Sequence, residues 1–275
     1  MAVIFKIVKY GNAEYAGDFE NGKRNGTGTM TLADGTSYIG KWQNDLMHGA
    51  GRLSKPDGAY YDGEFACGKY HGTGVLYSPD KGVYSGQFVA GKKNGAGKMR
   101  YPDGSVYDGE WRDGIQCGKG IFTDADGSVY NGNFANDRFQ GLGIMHFSNG
   151  DTYSGDWNDD MRSGKGEYIF SSGAKYIGDW VDDQRHGYGA FYDSNGTIIF
   201  NGMWQYDAYV PNDEYSPDEK TFGEQESDLI SPSMSTADPE TDNAADESGD
   251  ESDTDADESG DKSDTDADED EDDEE

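Results

Sequence analysis

The sequence repeats itself with a period of 23 residues, and this period restricts the possible folds more than any other feature. A tyrosine opens each unit, a glycine follows two residues later, and a phenylalanine or tryptophan follows two residues after that. Eight units keep this register without an insertion. Their tyrosines and second aromatic residues are Tyr15 and Phe19, Tyr38 and Trp42, Tyr61 and Phe65, Tyr84 and Phe88, Tyr107 and Trp111, Tyr130 and Phe134, Tyr153 and Trp157, and Tyr176 and Trp180. Such a chain folds by stacking similar units, each of which contacts only its neighbours.

Within each unit the side chains alternate with a period of two, which is typical of β-strands. The tyrosine, the glycine and the second aromatic residue therefore share one face of a first strand. After a predicted link of five to six residues, a Gly-x-Gly-x-apolar segment forms a second strand. The apolar residues that close this segment are Met30, Leu53, Leu76, Met99, Phe122, Met145, Tyr168 and Phe191. We therefore predict one β-hairpin per repeat, with Asp-Gly or Asn-Gly turns leading to the next hairpin.

The predicted fold class is all-β, an elongated single-sheet antiparallel β-solenoid of stacked hairpins. Helical signals are almost absent before residue 205. With two strands per repeat and neighbouring strands about 4.8 Å apart, the repeats would make a sheet on the order of 75 Å long.

The recurring glycines have a steric explanation. A strand glycine has no Cβ, so an aromatic ring from a neighbouring strand can lie flat over the backbone there. In the second unit, HGAG at residues 48–51 resembles a glycine-rich active-site turn, but every other unit has a counterpart. We interpret Gly49 and Gly51 as a floor for aromatic rings and His48 as a replaceable turn residue.

These units resemble MORN repeats. The resemblance is carried by YIGKWQNDLMHGAGRLSKPDG (residues 38–58), YDGEFACGKYHGTGVLYSPDK (61–81) and YDGEWRDGIQCGKGIFTDADG (107–127). It implies an antiparallel single-sheet β-solenoid that serves as a scaffold or interaction module. The sequence departs from the family pattern where aspartate replaces the mid-hairpin glycine, and we interpret those positions as tolerant of change. They are Asp45, Asp137, Asp160 and Asp183.

Three regions follow from the repeats. Residues 1–14 are predicted to form an N-terminal capping strand, and residues 15–205 the repeat array. A partial ninth unit begins at Phe200 after a one-residue slip. Residues 206–275 are predicted to form a disordered, highly acidic tail, although Met203, Trp204, Tyr206 and Tyr209 are expected to fold over and cap the last hairpin.

The tail contains most of the charge of the chain. Residues 212–275 hold 29 acidic side chains against two lysines, whereas residues 1–211 hold 26 acidic and 20 basic side chains. Low hydrophobicity combined with high net charge predicts disorder. Within residues 245–275, five hydroxyl residues have an acidic residue three positions on and resemble sites of acidophilic kinases. They are Ser248, Ser252, Thr254, Ser263 and Thr265.

The sequence predicts no cofactor, no metal site and no catalytic residue. Cys67 and Cys117 form no CxxC or Cys/His cluster, which favours a reducing, intracellular location. His48 and His71 on adjacent repeats are the one candidate metal pair, but five of eight units replace this histidine, so a hydrogen-bonded turn residue is the preferred interpretation. The Gly-x-Gly pairs lie in strand patterns and not at a helix N-terminus, which argues against phosphate binding.

The charge balance limits the possible partners. A net charge of −33 excludes nucleic acid as a partner. Anionic lipid requires clustered basic residues, and only Lys23 with Arg24 and Lys92 with Lys93 are adjacent pairs within the repeats. No apolar segment is long enough to cross a membrane, and no signal peptide is recognised.

The predicted function is a non-enzymatic scaffold that binds one or more proteins, with exposed aromatic residues on the open face of the sheet marking the docking surface. Repeats followed by an acidic tail resemble the MORN proteins of ciliary radial spoke heads, which implies a cytoplasmic location in the cytoskeleton of a cilium or flagellum. The alternative is a peripheral membrane protein that binds phosphoinositide, or a cytoskeletal organiser that assembles end to end. In a third hypothesis the tail itself binds a basic protein.

Overall fold

A computed structural model describes residues 3–211, which form one antiparallel sheet of 19 strands. Each strand pairs with the strand that precedes it and with the strand that follows it in the sequence. The strands are β1 Ile4–Tyr10, β2 Ala13–Glu20, β3 Lys23–Thr31, β4 Ser37–Gln43, β5 Leu46–Ser54, β6 Tyr60–Ala66, β7 Lys69–Ser78, β8 Gly82–Val89, β9 Lys92–Arg100, β10 Val106–Arg112, β11 Ile115–Thr123, β12 Val129–Ala135, β13 Arg138–His146, β14 Thr152–Asn158, β15 Met161–Ile169, β16 Lys175–Val181, β17 Gln184–Tyr192, β18 Ile198–Gln205 and β19 Ala208–Tyr209. The predicted all-β, single-sheet antiparallel fold is confirmed. No helix in the described part of the chain is long and apolar enough to span a membrane.

The described residues extend a short way into the region assigned to the tail. Residues 206–207 form a turn, and β19 then pairs with the end of β18. Trp204 is buried and Tyr209 packs against it, whereas Tyr206 stays 59% exposed. The predicted disorder of residues 212–275, and the phosphorylation sites there, lie outside the described residues.

Within each hairpin the two strands are joined by a two-residue turn, which is shorter than the predicted link of five to six residues. In the second repeat this turn is Asn44 and Asp45, whose φ angles are 49° and 71°. Two consecutive positive φ angles define a type I′ turn, whose twist matches that of the flanking strands. The prediction was wrong because residues such as Leu46 and Met47, which follow the turn, pair back onto the first strand.

A β-bulge separates this outer part of each hairpin from the part that carries the glycines. In the second repeat Gly40 pairs with Gly51, but the next pair is Trp42 with Met47. Gly49 lies in the bulge with φ +61°, and a Cβ built on it would be 3.5 Å from the Lys41 side chain. Gly49 is therefore required for its backbone conformation. The prediction that it lies under an aromatic ring was wrong, and only Gly51 has that role.

Seventeen glycines form one uninterrupted row across the sheet, from β2 to β18, with each glycine directly opposite the next. The tyrosine of each repeat lies over two of them. A Cβ on Gly51, for example, would lie 2.6 Å from Cζ of Tyr38, which is closer than any real contact. The members are Gly17, Gly28, Gly40, Gly51, Gly63, Gly74, Gly86, Gly97, Gly109, Gly120, Gly132, Gly143, Gly155, Gly166, Gly178, Gly189 and Gly202.

The aromatic rings above this row form a ladder that links each repeat to the next. The Tyr38 ring meets Trp42 of its own repeat and Phe65 of the following repeat edge to face, with both centroid distances 5.1 Å. Each such pair contributes about 0.5–1.5 kcal/mol beyond the area it buries. The Trp42 indole also donates a 3.0 Å hydrogen bond to the Gly28 carbonyl of the preceding repeat. The ladder thus couples neighbouring repeats through both ring packing and hydrogen bonds.

The buried tyrosines predict how the array responds to alkaline pH. Burial raises the pKa of Tyr38, Tyr61 and Tyr84 to about 12, from an ordinary value of 10.0. Above pH 10 the unfolded chain loses these protons while the folded chain keeps them, so stability falls as the pH rises toward 12.

We expect exposed tyrosines to ionise near pH 10 with the sheet intact, and the core tyrosines to ionise only as the circular dichroism of the sheet is lost. Tyrosinate absorbance and circular dichroism followed in one titration would test this. Ionisation of every tyrosine near pH 10, with the sheet unchanged, would contradict it.

Candidate docking groove on the aromatic face

The face that carries the aromatic ladder is concave because each second strand bends at its bulge. Residues six apart in a straight strand are about 20 Å apart. In β9, however, Lys93 Nζ lies 3.4 Å from Met99 Sδ, and in β15 the Arg162 guanidinium lies 5.3 Å from the Tyr168 ring centroid. The two ends of each second strand therefore form opposite walls of a groove, with the ladder as its floor.

Two rows of side chains line this groove. The first wall consists of the residues nine positions after each tyrosine, namely Arg24, Met47, Tyr70, Lys93, Gln116, Phe139, Arg162 and Arg185. The second wall consists of the apolar residues fifteen positions after each tyrosine, which the sequence had assigned to the second strand. The floor tyrosines are at most 3% exposed, so a partner would contact the walls and not the floor.

The first wall rests directly on the aromatic floor. Tyr70 stacks on Tyr61 with 3.9 Å between ring centroids, and Phe139 stacks on Tyr130 at 3.8 Å. The arginines occupy equivalent places, as shown by Arg162, whose guanidinium lies 4.4 Å from the Trp180 centroid. Such cation–π contacts contribute roughly 0.5–2 kcal/mol each, and more when desolvated. A mixed row of rings and cations thus shapes this wall.

The arginines of the first wall are neutralised by aspartates at the turn of the next hairpin. Asp45 Oδ1 accepts hydrogen bonds from the backbone N–H of Arg24 at 2.9 Å and from its Nε at 3.2 Å. Asp183 accepts the same pair from Arg162, at 3.0 and 2.9 Å. The interpretation of these aspartates as merely tolerated turn residues was therefore incomplete, because they join each repeat to the one before it.

Lys93 differs from the arginines because no carboxylate of residues 3–211 pairs with it directly, although the charge of Asp137 favours its protonated form. Within residues 3–211 its ammonium forms no ion pair, and it lies 4.8 and 4.3 Å from the ring centroids of Tyr84 and Trp111. Burial lowers the pKa of Lys93 to about 8. At neutral pH the groove therefore presents one desolvated positive charge near its middle, where a carboxylate from a partner would gain strong electrostatic attraction.

The side chains of the second wall change from aliphatic to mostly aromatic along the array. It is aliphatic in the first four repeats, where Met30, Leu53, Leu76 and Met99 occupy it. Toward the C-terminal repeats it becomes aromatic, and residues beside it extend the cluster. The ring centroids of Phe147 and Tyr168 are 5.8 Å apart, those of Tyr168 and Phe170 4.7 Å, and those of Phe170 and Phe191 5.8 Å. These side chains are half-buried and form an apolar surface for a partner.

The sequence also singled out a histidine pair and two basic pairs as candidate binding residues. The interpretation of His48 as a turn residue was wrong, because His48 and His71 lie in strands β5 and β7 beside the bulge. The described residues contain no group of three or more His, Cys, Asp or Glu that could hold a metal. The basic pairs are split by strand alternation, since Lys92 is exposed beside Asp113 while Lys93 points into the groove. The most exposed apolar residue of the described chain, Phe5 at 65%, lies at the N-terminal end of the sheet, and Ile39, at 57%, lies in β4 on the face opposite the groove.

These features define a class of protein, an open sheet of bent hairpins in which tyrosines lie over a row of glycines. The MORN repeat model matches eight consecutive segments, residues 15–37, 38–60, 61–83, 84–106, 107–129, 130–152, 153–175 and 176–198. The chain therefore belongs to the MORN repeat family, and the predicted start of every full repeat is confirmed. MORN repeats are in general scaffold modules that bind proteins or membranes. No curated protein matches the chain.

Three solved structures show a weak likeness to the chain. A point mutant of the TCP10 domain of Danio rerio CPAP is 14% identical, with a TM-score of 0.26, over 72% of this chain and 99% of that one. The TCP domain of Drosophila melanogaster SAS-4 (dCPAP), in complex with a proline-rich motif of Ana2 (dSTIL), is 13% identical, with a TM-score of 0.27, over 70% and 86%. A streptogramin B lyase is 9% identical, with a TM-score of 0.17, over 74% and 70%. No functional conclusion follows from TM-scores this low.

Proposed function

We propose that this protein is a non-enzymatic scaffold whose groove binds an apolar segment of a partner protein that also carries a carboxylate. The charge of Lys93 is the observation that supports this most directly, because this side chain forms no ion pair within residues 3–211 and belongs to a wall that faces the apolar second wall. Apolar side chains of the partner would cover the half-buried walls. A partner carboxylate beside Lys93 would replace the counter-ion that the described chain does not supply.

Membrane binding through phosphoinositide is the alternative, and the placement of the basic residues makes it the weaker one. A lipid surface needs several cations on one exposed face. Arg24 is paired with Asp45 inside the groove, and Lys92 is paired with Asp113 on the opposite side of the strand from Lys93. Co-flotation with phosphoinositide vesicles at physiological salt would favour the membrane alternative.

We further propose that the scaffold acts in an axonemal or cytoskeletal assembly of a cilium or flagellum. The support is the architecture of the sequence, in which MORN repeats are followed by a strongly acidic segment. Affinity purification of the full-length and tail-deleted proteins from the native cell, followed by mass spectrometry, tests this. Recovery of axonemal proteins would support it, and recovery of membrane kinases instead would contradict it.

Replacing Lys93 by methionine is expected to weaken partner binding about tenfold, because a charge-assisted hydrogen bond contributes about 1.5–3 kcal/mol. Methionine retains the apolar length of the side chain, so the floor stays covered. Lys92→Met is the matched control, since Lys92 is adjacent in sequence but lies outside the groove. Lys93→Arg should restore binding. The amount of partner that co-purifies with each variant is the measurement.

Suppose that Lys93→Met and the wild-type protein recover equal amounts of partner and that circular dichroism shows both to be folded. The charge of Lys93 would then make no contribution to partner binding. Equal loss with Lys92→Met and Lys93→Met would point to the outer surface instead of the groove.

A further inference from the structure

Within residues 3–211, five of the eight junctions between first-wall residues and the next hairpin are closed by a carboxylate. At a closed junction, the backbone N–H of the first-wall residue donates to the aspartate in the turn of the next hairpin, over 2.7–3.1 Å. The closed junctions are Arg24 with Asp45, Gln116 with Asp137, Phe139 with Asp160, Arg162 with Asp183, and Arg185 with Asp207. The aspartate thus satisfies an N–H group that lacks a strand partner.

The other three junctions follow one another along the array, and each has a glycine in place of the aspartate. We call them the open junctions. They are Met47 with Gly68, Tyr70 with Gly91, and Lys93 with Gly114. Each glycine N–H donates to the carbonyl of the first-wall residue over 2.8–2.9 Å, as the Asp45 N–H does to the Arg24 carbonyl at 3.0 Å. The backbone of an open junction therefore matches that of a closed one, and only the carboxylate differs.

The N–H group of the first-wall residue points out of its own hairpin. Hydrogen-bonded and non-hydrogen-bonded pairs alternate along an antiparallel ladder, and the pair that flanks a two-residue turn is hydrogen-bonded. Leu46 belongs to that flanking pair, so Met47 belongs to a non-hydrogen-bonded one. Its N–H points away from β4, toward the turn that contains Gly68. The pairs with the same register at the other open junctions are Phe65 with Tyr70 and Phe88 with Lys93.

The closed junctions show which chemical group these positions bind. The same N–H, in the same backbone geometry, holds a carboxylate oxygen five times within residues 3–211. Hydrogen bonds to a carboxylate are roughly twice as strong as those to a neutral acceptor. At the third open junction the Lys93 ammonium, which has no ion pair within residues 3–211, adds a positive charge. The open junctions therefore favour an anionic ligand over a neutral one.

The spacing of the open junctions limits the shape of that ligand. Neighbouring junctions are two strands apart, which is about 9.6 Å. In a β-strand, side chains on one side recur at about 6.6 Å and 13 Å, and neither distance fits. In an extended polyproline II segment, every third side chain lies on the same side, at intervals of about 9.3 Å. A peptide in this conformation, with a carboxylate at every third residue, can reach all three N–H groups.

We propose that the partner of the groove carries an extended acidic segment, in which carboxylates at every third residue bind the N–H groups of Met47, Tyr70 and Lys93. These carboxylates take the positions that the chain's own aspartates take at the closed junctions. The inference rests on the proposed function, because it specifies the part of the partner that lies along the first wall. Residues between the carboxylates would face the apolar second wall.

Fluorescence anisotropy of the full-length protein with three labelled peptides tests this. The probe is (Asp-Leu-Ala)3, and we expect it to bind at least tenfold more tightly than (Asn-Leu-Ala)3. The peptide (Asp-Leu-Ala-Ala)3 has the same charge but places its carboxylates about 12 Å apart, so it should bind no better than the asparagine peptide. Physiological salt screens repulsion from the net charge of −33.

Gly68→Asp and Gly91→Asp each close one junction with a carboxylate of the chain itself. A Cβ there would lie 3.8 Å from the Leu46 side chain and 4.0 Å from that of Lys69, so both positions have room. Each variant should bind the aspartate peptide about tenfold more weakly. Gly68→Asn adds no charge and should also weaken binding, which separates occupancy of the N–H from repulsion. The control is Gly104→Asp, at an open position of positive φ on the opposite edge of the sheet, and it should bind like the wild type.

Equal binding of the aspartate and asparagine peptides would overturn the proposal, and so would wild-type affinity in both Gly68→Asp and Gly91→Asp. Gly68→Asp should also melt above the wild type, because its carboxylate joins two repeats; a lower melting temperature would show that the junction cannot hold a carboxylate. Recovery of the cellular partner distinguishes the two proposals. Loss of that partner with Lys93→Met, but not with Gly68→Asp, would overturn this inference and leave the proposed function in place.

Discussion

Replacing Gly51 by alanine is expected to destabilise the array by about 3 kcal/mol or more, because the new methyl group and the Tyr38 ring cannot occupy the same space. A Cβ at Gly51 would lie 2.6 Å from Cζ and Cε2 of Tyr38. Moving that ring would also break its contacts with Trp42 and Phe65. The loss of stability should therefore extend to the neighbouring repeat, which contains Phe65.

Gly49, two residues earlier in the same strand, provides the matched control. Its φ of +61° makes alanine unfavourable by about 1–2 kcal/mol, but there is room for a side chain. Asparagine tolerates this backbone region, so Gly49→Asn should be nearly neutral. Gly51→Asn should be as harmful as Gly51→Ala, because the obstacle there is a ring and not a backbone angle.

Long repeat arrays do not always unfold in one step, so local measurements are needed. Hydrogen–deuterium exchange of the hairpins on either side of Tyr38, together with the midpoint of thermal unfolding, would separate these variants. If Gly51→Ala and Gly49→Ala were equally destabilising and asparagine rescued both, the steric account of the glycine row would be wrong.

Replacing Tyr130 by alanine is expected to cost about 4 kcal/mol, the usual range for removing a buried ring. Tyr130 is fully buried and stacks on Phe139 at 3.8 Å, and it meets Phe134 and Trp157 edge to face at 5.3 Å each. Its loss would interrupt the ladder in the middle of the array. Hydrogen–deuterium exchange of the backbone amides should become faster in the strands that carry these rings.

Tyr130→Phe isolates the contribution of the hydroxyl group. This hydroxyl donates a 3.0 Å hydrogen bond to the Asn133 carbonyl, and its removal should cost about 1 kcal/mol. Urea unfolding of the two variants side by side is the measurement. A phenylalanine variant as unstable as the alanine variant would mean that the hydrogen bond, and not ring packing, maintains the ladder.

Much of this fold is predictable because each repeat faces the same physical problem. A hairpin cannot bury its own rings, so Tyr38 and Trp42 had to recur with glycines that give the rings room. Eight-fold recurrence separates these constrained positions from variable ones, such as that of His48. Strand alternation then assigns the tyrosine, glycine and tryptophan to one face.

The groove could not be predicted in the same way. Its first wall varies from Arg24 to Tyr70 to Gln116, because the position requires only a long side chain that can cover a ring. The spacing of 23 would have identified the row, but nothing in its composition indicates the bend that brings it opposite the second wall. That bend depends on the bulge at residues such as Gly49, whose positive φ is visible only in the structure.

The central claim is that the concave face, and not the outer face, binds a protein partner. Hydroxyl-radical footprinting of the full-length chain, alone and with a co-purified partner, tests it most directly. The account predicts protection of Tyr70, Phe139 and Tyr168 in the groove, with Ile121 and Leu142 on the outer face unchanged. Protection of Ile121 and Leu142, with the groove residues unchanged, would contradict it.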